Sequence, residues 1–267
     1  MNIQNGHYPS AKTIHQQRLP NGITVLVYEN FTSPSVVIEG IVRTGALAES
    51  ADKAGLANLT ADLLMRGTET QSFAQIYEAL ESVGANVGFG SGRHITSFSG
   101  HGLVEDVDLL LDIIAASLRR PTFPAQQVAQ VQGQLLTALQ MRASDTEQMS
   151  RLAFREAVYA NGHPYGRSQL GYDDTVSALT RDDVAAFHRR TYGPRDMIVT
   201  IVGAIKADVA SAKVAAVLGD WQVPQQEVMP AVPDTVRPEG VVKTAVFIPE
   251  KSQADIVLGL PGPCRAE

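Results

Sequence analysis

Apolar stretches with strand character stand on both sides of a long helical middle, and that order narrows the folds open to this chain more than any other feature. Asn21-Gly22 marks a turn, apolar strands follow over 23–28 and 36–42, a glycine-rich strand pair covers 85–100, and another strand covers 197–202. Between them the periodicity is helical. In 55–69, GLANLTADLLMRGTE, Leu56, Leu59 and Leu63 recur at helical spacing and Gly67-Thr68 closes the segment. Phe73, Ile76, Leu80 and Val83 share one face of the next helix, with Ser72 and Gln75 as a capping box and Gly84 just past its end. Helices are predicted over 104–118 and 124–142; the second starts at Pro124 and turns Val128, Val131, Leu135 and Leu139 inward. Further helices fall near 147–159, just after Gly171, from Thr180 and Asp183 to the basic pair Arg189 and Arg190, and over 205–218. The expected fold is α+β: a mixed, largely antiparallel sheet covered by helices mainly on one face.

The domain organisation follows from changes in composition. Residues 1–17 are polar and read as an N-terminal arm, and residues 18–222 as one complete domain. Pro224, Pro230, Pro233 and Pro238 punctuate a Pro-rich linker over 223–240. Residues 244–258 then align with 24–38 at an offset of 220, with apolar positions matching at both strands. The reading is an internal repeat, so 241–267 would hold the first strands of a second homologous domain, truncated there.

Charge and composition exclude several classes. A net charge of −6 and no long basic run argue against a nucleic-acid surface. The most apolar run, 109–118, is too short to span a bilayer, and the polar opening MNIQNGHYPS has no signal-peptide core, so a cytoplasmic location is expected. Cys264 is the one cysteine, which rules out an internal disulfide framework.

Several segments resemble the pitrilysin/insulinase family of zinc metallopeptidases, in the branch that includes the mitochondrial processing peptidase. They are Leu19-Pro-Asn-Gly-Ile-Thr-Val, Gly45 with Glu49, the frame from Gly55 to Thr68, Leu80 to Gly84, His163-Pro-Tyr-Gly, Leu170-Gly, and Tyr192-Gly-Pro with Met197 and Gly203. In that family the helix corresponding to 55–69 carries H-x-x-E-H, whose histidines hold Zn²⁺ and whose glutamate activates water. Here those five positions read Asn58, Leu59, Thr60, Ala61 and Asp62. The family's third ligand, a glutamate about eighty residues further on, corresponds to Ala138. Three ligand positions are thus Asn58, Asp62 and Ala138, and the base position is Ala61, so the resemblance implies a degenerate site with no zinc cofactor. Alanine neither binds metal nor moves a proton, and two oxygen ligands without imidazole make a poor zinc site.

The resemblance also implies that Val87, Gly88, Phe89 and Gly90 lie on an edge strand that pairs with an extended peptide substrate. The bland alternative is that these glycines only bend a strand. The implied function is a non-catalytic, substrate-holding or structural subunit that acts with a zinc-bearing homologous peptidase. Two alternatives stand beside it: an architectural scaffold without proteolysis, and a zinc endopeptidase with an unconventional site. Unpaired strands in a fragment would also permit a homo-oligomer. Other chemical candidates are weaker. His94 and His101 fall on opposite faces of one expected strand, His163 shapes a Pro/Gly turn, and His188 reads as a surface or hydrogen-bonded core histidine. No helix follows Gly84, Gly88, Gly90 and Gly92 to receive a phosphate, and there is no Gly-x-Ser-x-Gly elbow or P-loop.

Overall fold

The structure is a computed structural model that describes residues 9–160, 162–235 and 239–262. Pro238 and Cys264 lie outside the described residues, as do residues 1–8 of the expected arm. The strands are β1 (His15–Arg18), β2 (Thr24–Glu29), β3 (Ser35–Val42), β4 (Asn86–Ser91), β5 (Thr96–Leu103) and β6 (Ile198–Gly203). They form one sheet in the order β1-β2-β6-β3-β5-β4, in which β2 and β6 run parallel and the other neighbours antiparallel. The helices are α1 (Leu56–Leu63), α2 (Phe73–Ser82), α3 (Val107–Arg119), α4 (Ala125–Ala143), α5 (Thr146–Val158), α6 (Asp173–Ala178), α7 (Arg181–Thr191) and α8 (Ala207–Leu218).

Alternation along the strands decides which face the helices cover. Val25, Val27, Val36, Ile38, Val42, Val199 and Ile201 are buried, while their neighbours Leu26, Val37, Ile41, Ile198 and Thr200 stay partly open on the other face. Helices α3 and α8 close the buried face with Leu110, Leu111, Ile114, Ala210, Val214 and Leu218. The α+β architecture with helices mainly on one face is therefore the architecture of the molecule. The capping boxes at Ser72–Gln75 and Thr180–Asp183 both form, and Gly84 takes the left-handed conformation past α2.

The details differ from the sequence reading at five places. Residues 15–17 of the expected arm, with Arg18, are β1, whose backbone takes the outer edge of β2 while its four side chains stay exposed, so no apolar pattern marks it. Pro124 is the residue that caps α4, not its first helical residue, since its ψ of 135° is extended. His94 lies in the turn between β4 and β5, so only His101 is on a strand. The linker over 223–240 begins pinned to the domain: Gln226 is buried, its Oε1 accepts from Arg195 N, and Glu227 N donates to Arg190 O. Finally, the expected strands over 241–267 do not form among the described residues 241–262. A strand needs a paired neighbour for its backbone groups. Instead this segment runs beside α5, where Thr146 Oγ1 donates to Asp255 Oδ2, and Val241, Phe247, Ile256 and Leu258 are exposed.

Candidate functional site

Helix α1 is built to be held from its N-terminus. Gly55 enters it with φ of +98°, and a Cβ there would meet Leu170 O at 2.8 Å, so the position demands glycine. Since Gly55 has no side chain to cap the helix, Glu49 supplies the acceptors from outside. Its Oε1 accepts from Gly55 N at 3.2 Å and its Oε2 from Ala57 N at 2.9 Å. Glu49 is 4% exposed, and burial pushes its carboxyl up to about 7 against the opposing pull of those backbone N–H groups and of Arg167. The sequence reading picked out Glu49 only as a motif residue. Its signal is an acid six residues ahead of a glycine-started helix.

The four degenerate positions come together in one cleft of about 530 Å³ between α1, α4 and β4. Asn58, Ala61 and Asp62 line it from α1, and Ala138 faces them from α4. Val87, Gly88 and Phe89 form the strand wall, and Gly90 continues along β4 into a shallow groove on the open face of the sheet. Asn58 Nδ2 donates to Asp62 Oδ2 at 3.0 Å, the i,i+4 pairing that a shared helix face permits. Asp62 is exposed at the mouth of the cleft, yet desolvation by the walls pushes its carboxyl up, opposed by the Arg66 charge and the Asn58 bond. This donor set does not fit a Zn²⁺ centre. One carboxylate already satisfied by an amide, a methyl group at each alanine and no imidazole leave too few ligands. Among the described residues no group of three His, Cys, Asp or Glu side chains is placed to hold a metal.

Strand β4 is the edge of the sheet, paired with β5 on one side only among the described strands. A Cβ at Gly88 would meet only Ser99 Oγ at 3.6 Å, and one at Gly90 only Ser97 Oγ at 3.7 Å, both ordinary contacts. Neither glycine has positive φ. Nothing among the described residues requires glycine at either place.

His94, His163 and His188 have structural partners. His188 is buried, donates from Nε2 to Leu118 O at 2.9 Å and stacks on Tyr192. Burial pushes its imidazole down to about 4, so it is neutral at neutral pH. His163 accepts from Tyr165 N at Nδ1 and donates from Nε2 to Pro233 O, tying the linker to the turn it shapes. His94 meets the Tyr165 hydroxyl at the surface.

Comparison with known proteins places this geometry. The model of the insulinase family, peptidase family M16, matches residues 24–171, which contain α1, α4 and β4. The chain belongs to that family. A second model, the peptidase M16 inactive domain, matches residues 178–265. An uncharacterized zinc protease of Mycobacterium leprae is 27% identical over 248 residues, 93% of this chain and 56% of the relative. A probable mitochondrial-processing peptidase subunit beta of Arabidopsis thaliana is 24% identical over 200 residues, 75% of this chain and 38% of that protein. Among solved structures, the peptidase M16 inactive domain from Pseudomonas fluorescens superposes with a TM-score of 0.77 at 22% identity, over 85% of this chain and 54% of that one. The periplasmic protease PqqL from Escherichia coli gives a TM-score of 0.77 at 21% identity, over 86% of this chain and 26% of that one. These likenesses are to the M16 fold. The chain spans about half the length of the curated relatives it matches.

Proposed function

We propose that this chain is a non-catalytic, substrate-holding part of an M16 peptidase assembly that cleaves peptides with a zinc-bearing homologous partner. The observation that supports the reading is the cleft itself: within the span that matches the M16 family, Asn58, Ala61, Asp62 and Ala138 line one cleft, and these are the residues that the sequence resemblance aligns with the family's ligands and base. A chain that keeps the cleft but has no general base holds a peptide without activating water on it. The occupant is an extended peptide, and the support is the open edge of β4. An incoming strand completes the backbone hydrogen bonds of such an edge. Gly88 and Gly90 are small where the chain's own packing does not need smallness, which leaves an approaching backbone as the reason for it.

The test is fluorescence anisotropy of the full chain with a labelled, unstructured peptide of about ten residues. Saturable binding without cleavage is expected, weakened about tenfold, or ~1.4 kcal/mol, by Gly88→Val with no fall in melting temperature. Failure to bind any extended peptide would replace this reading with an architectural role.

A further inference from the structure

Away from the cleft, four half-buried arginines gather around the loop that joins α5 to α6. Arg93, from the β4–β5 turn, donates to Pro164 O at 3.1 Å and to Arg167 O at 3.3 Å. Arg142, near the end of α4, donates to Ser168 Oγ at 2.6 Å and to Gly171 O at 3.1 Å. Arg167 itself donates to Glu49 O at 3.2 Å. The Arg155 guanidinium, on α5, has no hydrogen-bond partner among the described residues, and the buried Nε atoms of Arg142, Arg155 and Arg167 are all unpartnered.

Carbonyl oxygens orient guanidinium groups but do not neutralise them. Among the described residues, none of the four has a carboxylate within ion-pair distance; the ion pairs of the chain fall on Lys53, Arg119, Arg151, Arg190, Lys206 and Lys213. The acids nearby are committed elsewhere or stand off. The Glu49 carboxyl turns into the start of α1, Glu156 accepts from Tyr172 OH at 2.8 Å, and Asp173 influences Arg142 without pairing with it. Tyr159 and Tyr165 also face Arg93, the latter with its ring 5.4 Å from the guanidinium carbon. Burial first, and then the charge of Arg155, pushes the Arg93 guanidinium down; burial and Arg155 act in the same direction on Arg142. Arg155 is thus the neighbour that both share. In a chain of net charge −6, a half-buried group of four like charges with no ion pair among the described residues, and only the longer-range pull of Glu49, Glu156 and Asp173, is an anomaly.

We propose that Arg93, Arg142, Arg155 and Arg167 bind a phosphate-type oxyanion carrying two or more negative charges. Guanidinium forks match phosphate oxygens, and here they come from the β4–β5 turn, α4, α5 and the 162–172 segment. A single planar carboxylate would satisfy one fork and leave most of the charge in place. The Arg155 guanidinium, having no bond in the free protein, is the group with most to gain from the anion.

The experiment is thermal unfolding of the full chain with inorganic pyrophosphate, against sodium glutamate and sodium chloride at matched ionic strength. Pyrophosphate at about tenfold its dissociation constant should raise the melting temperature by about 3 °C, and glutamate should not exceed chloride. Arg155→Gln removes a like charge and no hydrogen bond, so it should keep or slightly raise the basal melting temperature while losing the response. Arg151→Gln, four residues away on the same helix and paired with Glu147, should keep the response. No response in the wild type, an equal response to glutamate, or a response retained in Arg155→Gln overturns the proposal.

Discussion

Two buried titratable side chains set opposite pH slopes on the stability of this fold. Glu49 keeps its proton in the folded chain up to about pH 7, above its ordinary 4.5, so its stabilisation is full below about pH 4.5 and is lost as pH rises through 7. His188 stays neutral down to about pH 4, below its ordinary 6.5, so its contribution is full above about pH 6.5 and is lost as pH falls toward 4. Each is worth about 3 kcal/mol at its limit, and between pH 4.5 and 6.5 the two nearly cancel. Urea unfolding across that window should therefore give a shallow slope for the wild type. Glu49→Gln should leave stability rising with pH, and His188→Gln should leave it falling. Slopes of the same sign in the two variants would contradict the assignments.

At the scale of elements, α1, α4 and β4 lie in the span that matches the insulinase family and bring Asn58, Ala61, Asp62 and Ala138 to one cleft. If the backbone positions are preserved, the quadruple change Asn58→His, Ala61→Glu, Asp62→His and Ala138→Glu should bind one zinc per chain, read by metal analysis after dialysis. No zinc in a folded quadruple variant would mean that α4 does not stand where a third ligand must. The cap of α2 is a smaller test: Ser72→Ala should cost about 1 kcal/mol in urea unfolding. These elements were legible in the sequence because their signals are local. The Leu56-Leu59-Leu63 spacing, the Ser72–Gln75 and Thr180–Asp183 boxes and the glycine after α2 each act within a few residues. What the sequence hid is long-range. The His15–Arg18 strand has no apolar side and exists only because β2 offers an edge. The roles of Gln226 and of Arg93, Arg142 and Arg167 depend on partners far along the chain. The expected repeat over 244–258 has strand-like sequence but, without a paired neighbour among the described residues, does not form strands.

For the whole molecule, the fold and the functional reading separate cleanly. The architecture is that of M16 domains, and fold alone does not carry activity. One face of the sheet is sealed by helices, while the other keeps Ile41, Ile198 and Thr200 partly open beside the edge strand β4. That asymmetry suits a half-chamber whose opposite wall comes from another M16 domain. The central claim is that this chain holds peptide and leaves hydrolysis to a partner. The most direct measurement is zinc content and peptide cleavage of the isolated chain beside the assembly purified with its homologous subunit. The account predicts no stoichiometric zinc and no cleavage for the isolated chain, with both present in the assembly and carried by the partner. One zinc per isolated chain, together with peptide cleavage that a chelator abolishes, would contradict it.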